Sequence, residues 1–267
     1  MMTVGRWRVA AASTAGISHR RRQMRCQDAH AVTTLGRWPD EALVAAVSDG
    51  AGSASQGALG AKLAVWSFIE IVRMAHAGGT ALGRLDRAGA ERWIRLLQRV
   101  LRAVAEGRGV GLEDFACTLL GAIVLRDRLL LLQVGDGAMV VSDGSGSGWR
   151  WVFWPQHGEY AESTWFVTDE GAAGRMLFAN VDEPVEELAI FSDGLERLVL
   201  RDVDRRAHDP FFEAVFRPLR IASAQSGLDA RLSASLGRLL ASPTIVSRTD
   251  DDTTLVLASR RAVPAGA

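Results

Sequence analysis

Residues 117–137 read CTLLGAIVLRDRLLLLQVGDG. Two apolar runs, 117–125 and 128–135, are separated by little more than the charged Arg126-Asp127-Arg128. Short apolar runs that end in turn residues are strands, and so brief a connection makes the pair an antiparallel hairpin. The second run ends at Gly135-Asp136-Gly137, and Asp-Gly is a turn signal. A carboxylate at the tip of a buried-looking strand is a pattern that the rest of the chain repeats.

Further strands are expected at WRVAAAS (7–13), ALVAAVS (42–48), WRWVFW (149–154), VEELAIFS (185–192) and TTLVLAS (253–259). SDGSGSG at 142–148 has the length and composition of a hairpin loop. Two segments show a helical period instead. In 55–76 the apolar positions are Leu59, Leu63, Trp66, Ile69 and Val72; in 90–106 they are Trp93, Leu97, Val100 and Val104. Each makes one stripe, and its large side chains, both tryptophans included, are expected in the core. Helices are also expected at 209–220 and 228–241. Strands dominate two stretches and helices cluster between them, which predicts an α+β fold with helix layers on antiparallel sheets. The chain shows no repeat or long linker. A single domain over 1–267 is expected, with its core at about 5–260 and a frayed tail at RRAVPAGA (260–267).

The 267 residues are 48% hydrophobic and 23% charged, as in soluble globular proteins. Basic and acidic residues balance at 31 each, so no bulk field points to nucleic acid or an anionic membrane. Lys62 is the sole lysine, which reads as coding bias. Cys26 and Cys117 form no CxxC pair, so zinc and redox motifs are absent, and a reducing cytoplasm is the expected location. The apolar run Val9–Ala12 is shorter than a signal-peptide core of about 7–15 residues. No uncharged run approaches the ~20 residues of a membrane span.

The aspartates carry the chemical signal. AAVSDG ends at Asp49-Gly50, LLQVGDG holds Asp136, AIFSDG gives Asp193, and TDDDTTLVL opens with Asp250, Asp251 and Asp252. Asp28, in CQDAHAV, precedes another possible strand. Hard divalent cations take oxygen ligands, and carboxylates at the rim of a rigid sheet supply them with little entropy lost. Gly after Asp lets the backbone turn sharply and brings a carbonyl within reach. Any single Asp-Gly is more often a turn than a ligand. The joint pattern, with Ser-Asp-Gly closing two strands and an acidic triplet opening a third, is more than turns require.

These residues resemble the metal-dependent protein phosphatases, the PPM or protein phosphatase 2C type. CQDAHAV (26–32), AVSDGAGS (46–53), CTLLGAIVL with LLLLQVGDGAMVV (129–141), FSDGLERL (191–198) and DDTTLVLAS (251–259) look like the family's motifs, in its order, between residues 9 and 259. PQHGEYAESTWFVTD (155–169) resembles a bacterial subgroup. The resemblance implies a four-layer α/β/β/α sandwich of two antiparallel sheets, with Mg²⁺ or Mn²⁺ ions in a cleft at one end. Asp49 would bridge two ions and the Gly50 carbonyl would join it on one. Asp193 and Asp251 would hold the other, with Asp250 the fallback; Thr254, three residues after Asp251, fits the family's spacing. Asp28 would orient metal-bound water, and Asp136 with Asp193 would serve a third, weaker ion.

The chain departs from the family in places. Gln27 stands where some members carry Glu, and Ala51 where some animal members carry His. The position of the phosphate-binding Arg is Gln23 here, so Arg22, Arg25 and His19 are the candidates. A basic run such as 20–25 is also an ordinary solvated surface; beside an acidic cleft, Arg suits phosphate by its bidentate fork. The reading is a Ser/Thr protein phosphatase acting through water activated by two ions, on phosphorylated proteins and opposite a cognate kinase. A pseudophosphatase that binds phosphoproteins or kinases, and a phosphohydrolase of small phosphate esters, are the alternatives. Neither cysteine has the surroundings of a Cys-dependent phosphatase.

Overall fold

Along Ala42–Ser48 every residue is buried, and alternate side chains enter different cores. Leu43, Ala45 and Val47 join one apolar cluster, whereas Ala42, Val44 and Ala46 join another. A strand that is apolar on both faces belongs in a sheet covered on both sides. The computed structural model, which describes residues 7–37, 40–153, 164–201, 205–221 and 226–260, contains two such sheets.

The strands are β1 (Trp7–Thr14), β2 (Ala29–Leu35), β3 (Ala42–Ser48), β4 (Leu119–Val124), β5 (Leu129–Val134), β6 (Ala138–Ser142), β7 (Arg150–Trp151), β8 (Leu177–Val181), β9 (Glu187–Phe191), β10 (Leu200–Arg201), β11 (Arg206–Ala207), β12 (Gly227–Leu228) and β13 (Thr253–Arg260). The helices are α1 (Ile17–Arg21), α2 (Gly57–Ala77), α3 (Arg87–Arg108), α4 (Ala172–Arg175), α5 (Glu196–Val199), α6 (Asp209–Ile221), α7 (Ala230–Leu240) and α8 (Pro243–Val246). One sheet runs β2-β3-β4-β5-β8 and is antiparallel throughout. The other runs β12-β1-β13-β9-β6-β7, antiparallel except where β12 lies parallel to β1.

Three cores separate four layers. Between the sheets, Leu43, Val47, Leu120 and Leu131 meet Val9, Met139, Ile190 and Val256. Outside the first sheet, Val44, Ile123 and Leu130 pack under Phe68, Ile94 and Leu101 of α2 and α3. Outside the second, Phe191, Leu255 and Leu257 pack under Phe212, Phe216 and Leu236 of α6 and α7. This is the expected α/β/β/α sandwich.

The β4–β5 hairpin closes as expected, with Val124 opposite Leu129 and the Leu125 N–H donating to the Arg128 carbonyl at 2.9 Å. The Gly/Ser loop joins β6 to β7, pairing Val141 with Arg150. The Gly135-Asp136-Gly137 turn, however, is no hairpin turn. It carries the chain from one sheet into the other, with both glycines at positive φ, 95° and 89°.

Two expectations need correction. Trp66 is 61% exposed, not in the core. The buried face of α2 is Gly60, Ala61, Ala64, Val65, Phe68 and Val72, where small residues permit close approach. A Cβ on Gly60 would collide with the Phe115 backbone. In α3 the fully buried stripe is Ile94, Leu97, Leu101 and Ala105, so Trp93 and Val104 lie only partly buried at its side. Strand β8, half-buried along its length, was not expected. Trp154, residues 155–163 of the subgroup motif and the tail after Arg260 lie outside the described residues.

Candidate active site

Strand ends from both sheets open onto one cleft of about 840 Å³. Asp49, Gly50, Asp136, Asp193, Asp250 and Asp251 line it, with Arg22 and His19 from the N-terminal segment. Arg25 is exposed and lies off the lining. Asp49 follows β3 and Asp28 precedes β2, so both come from the first sheet; Asp193 follows β9 and Asp251 precedes β13, so both come from the second. Asp136 sits on the link between them.

Backbone clamps hold each position. The Ser48 hydroxyl donates to the Thr118 carbonyl at 2.5 Å, the Asp49 N–H donates to the Thr118 hydroxyl at 2.9 Å, and the Thr118 N–H returns a bond to the Asp49 carbonyl at 2.8 Å. Gly50 bridges to Cys117, and its missing side chain is filled by the Gly57 backbone at the start of α2. The turn around Asp136 is held by the Gln133 amide, which donates to the Gly135 and Gly137 carbonyls at 3.0 and 3.1 Å. The Gly137 N–H donates to buried Glu196 at 2.7 Å. The Thr164 hydroxyl donates to the Asp136 carboxylate.

Asp28 is buried behind the cleft, against Asp49. One of its oxygens accepts from the Ser192 hydroxyl at 2.7 Å, and the other has no hydrogen-bond partner among the described residues. Burial pushes its carboxyl up to about 6, against the pull of that hydroxyl. Asp49 is held well above the usual carboxylate range, by burial first and then by the charges of Asp28, Asp193 and Asp251. Asp193 is pushed up to about 7, by burial and then by Asp136, Asp251 and Asp28; its Oδ1 is also buried without a partner. Burial likewise raises Asp251.

The acidic triplet divides by role. Asp250 is exposed, and its carbonyl accepts from Ser18 N–H and hydroxyl at 3.1 and 2.9 Å. Asp251 faces the cleft. Asp252 turns inward and is saturated: it accepts from Gly16 N–H at 2.7 Å, from Gln27 N–H at 2.5 Å, and pairs with His19 Nδ1 at 2.8 Å. His19 is therefore tied by one ring nitrogen to a structural carboxylate. Sequence reasoning missed Asp252, Glu196 and two further cleft arginines, Arg197 and Arg248. Arg197 was visible in FSDGLERL, four residues after Asp193; the inward turn of Asp252 has no sequence signal.

The donor set suits a hard cation. It is all oxygen, two buried carboxylate oxygens lack partners among the described residues, and burial followed by crowding of like charges raises the carboxyl pKa values, a cost that a cation removes. Among the described residues, no three Asp, Glu, His or Cys groups are already closed into a cage. The carboxylates instead range around the cleft.

Protein phosphatase 2C is the family whose model matches residues 15–237. Serine/threonine-protein phosphatase 3 of Escherichia coli (strain K12) is 39% identical over 253 residues, spanning 94% of this chain and 98% of that protein. The chain belongs to the protein phosphatase 2C family. Solved members of the fold agree with its architecture. The catalytic domain of the serine threonine protein phosphatase PstP, in complex with 2 manganese ions, superposes with a TM-score of 0.59 at 18% identity, covering 96% of this chain and 99% of that one. The serine/threonine phosphatase Stp1 from Staphylococcus aureus gives 0.57 at 14% identity, covering 98% of each. Among the described residues no helix is long and apolar enough to cross a membrane.

Proposed function

We propose that this phosphatase 2C-family chain is a metal-dependent serine/threonine protein phosphatase that hydrolyses phosphoserine and phosphothreonine in proteins. The observation that carries the reading is the convergence of carboxylates from the ends of both sheets on one cleft, with buried oxygens of Asp28 and Asp193 left without protein partners. In this proposal Asp49 and the Gly50 carbonyl would hold one Mn²⁺ or Mg²⁺, and Asp49, Asp193 and Asp251 would hold a second. Asp136 with Asp193 would serve a third, weaker ion. When bound, the ions neutralise phosphate oxygens and activate water near neutral pH.

The chain's own groups do the positioning. Ser192 fixes one oxygen of Asp28, so the other would accept a hydrogen bond from water and orient it. Arg22, exposed at the end of α1 and lining the cleft, is the candidate donor to the phosphate. Thr118 and the Gly50–Gly57 approach keep Asp49 at the rim. A binding-only pseudophosphatase would not need this full carboxylate set. The opposing enzyme is a Ser/Thr kinase and the setting is the cytoplasm, consistent with two unpaired thiols. We take the whole chain as one such domain.

The test is release of phosphate from a phosphothreonine peptide with Mn²⁺ or Mg²⁺ and with EDTA, beside nucleotides and small phosphate esters. Turnover should need the metal and favour the peptide. Full activity in metal-free enzyme would remove the two-ion reading, and preference for nucleotides would move the substrate class.

A further inference from the structure

The cleft is larger than a phosphate requires. At about 840 Å³ it falls in the range of pockets for whole ligands, roughly 300–1,000 Å³. Its lining includes two arginines that the phosphatase chemistry does not use. Arg197 stands on α5, and Arg248 lies in the loop after α8, three residues before Asp251. Both side chains are exposed. Five aspartates line the same cleft, yet among the described residues neither guanidinium makes an ion pair or hydrogen bond. Arg220 on α6 shows the contrast: its fork is filled by Glu187 and Glu213 at 2.6 Å.

Two open guanidinium forks flanking the carboxylate floor are built for anions other than the scissile phosphate. A peptide that lowers a phosphorylated residue to the floor lays its neighbouring side chains along the rim. Carboxylates there would meet Arg197 and Arg248 in bidentate geometry, which Arg favours. Basic neighbours would meet like charge, and like-charge contacts discriminate strongly. We propose that Arg197 and Arg248 select phosphopeptides with acidic residues beside the phosphorylated one. The proposal rests on the protein phosphatase reading and adds a substrate preference to it.

The experiment compares kcat/KM at saturating Mn²⁺ for three phosphothreonine peptides flanked by Glu, Ala or Arg. Wild-type enzyme should prefer Glu over Ala, with roughly two- to fivefold contributed by each arginine, and the margin should shrink with added salt. R197A and R248A should each reduce the margin, chiefly through KM. The double charge reversal, R197E with R248E, should turn the preference toward the Arg-flanked peptide, which a merely structural role could not do. Equal turnover of the three peptides by wild type, or an unchanged order in the alanine and reversed variants, overturns the proposal while leaving the phosphatase reading intact. Failure of wild type on all three peptides defeats the phosphatase reading itself, and this preference with it.

Discussion

Asp252 and Gln27 lie 225 positions apart in sequence, yet the Gln27 N–H donates to the Asp252 carboxylate at 2.5 Å. The same carboxylate takes Gly16 N–H and His19 Nδ1. It therefore fastens the segment that delivers Asp28 onto the strand that follows Asp251.

Removing that carboxylate should cost stability. Asp252→Ala leaves two buried N–H groups and an imidazole without their partner, at about 1–3 kcal/mol for each unsatisfied group in the worst case. A net loss of about 2–4 kcal/mol is expected in denaturant unfolding. Asp251→Ala removes a single backbone acceptor, the one taken by the Asp252 N–H at 2.7 Å, and should change stability less. Equal losses for the two would contradict this division of roles.

Gly50→Ala should be destabilising by about 1–3 kcal/mol, because its methyl would enter the space of the Gly57 carbonyl and the backbone must yield. Gly52 is the control: a Cβ there meets nothing within 4 Å, so Gly52→Ala should stay within about 0.5 kcal/mol. Thermal melts of both variants decide the point.

The carboxylates should rank by their proposed ligand roles. Asp49→Asn should lose roughly 100-fold or more in kcat, since outer-shell changes alone cost about 10–100-fold. Asp193→Asn and Asp251→Asn should be partly rescued by high Mn²⁺, and Asp136→Asn should be mildest at saturating metal. A Mn²⁺ titration of the four variants tests the order; an Asp136 variant as inactive as the Asp49 variant would reassign the central pair.

In EDTA, stability should depend on pH in a direction opposite to that of salt-bridged acids. Asp28 and Asp193 are pushed up to about 6 and 7, and Asp49 is also raised, so the folded chain binds these protons more tightly than the unfolded one. The fold is unpenalised below the ordinary carboxylate range and loses stability as pH rises from there through the raised values. Tm in EDTA should fall from about pH 4 to about pH 7, and saturating Mn²⁺ should remove the fall. A Tm in EDTA that rises over this interval would contradict the crowding of charge in the cleft.

Much of this was legible because apolar runs and strand-end aspartates are local signals. Leu119–Val124 and Leu129–Val134 needed only their own residues and the charged turn between them. Asp49 and Asp193 announced themselves by closing apolar strands with Ser-Asp-Gly. What was hidden depends on distant partners. Trp66 looked like core because bulk dominates an apolar stripe, whereas α2 buries Gly60, Ala61 and Ala64, with Gly60 against the Phe115 backbone. Strand β8 pairs along β5, but its half-buried LFANV lacks a clean alternation. Asp251 and Asp252 are neighbours with opposite fates, settled by partners near residues 16–27. Arg197 and Arg248 gain meaning only when a short helix and a distant loop share a rim.

The turn at Gly135-Asp136-Gly137 has one more consequence. It is one of the passages of the chain between two sheets whose facing sides are largely apolar, and the cleft opens across their seam. The interlayer residues, such as Leu120 and Ile190, set the gauge of that opening. Mg²⁺ accepts little departure from a tight octahedron, while larger cations tolerate wider and looser shells. Ion choice would then depend partly on oil: a methyl group gained or lost between the sheets would be expected to re-space oxygens it never touches.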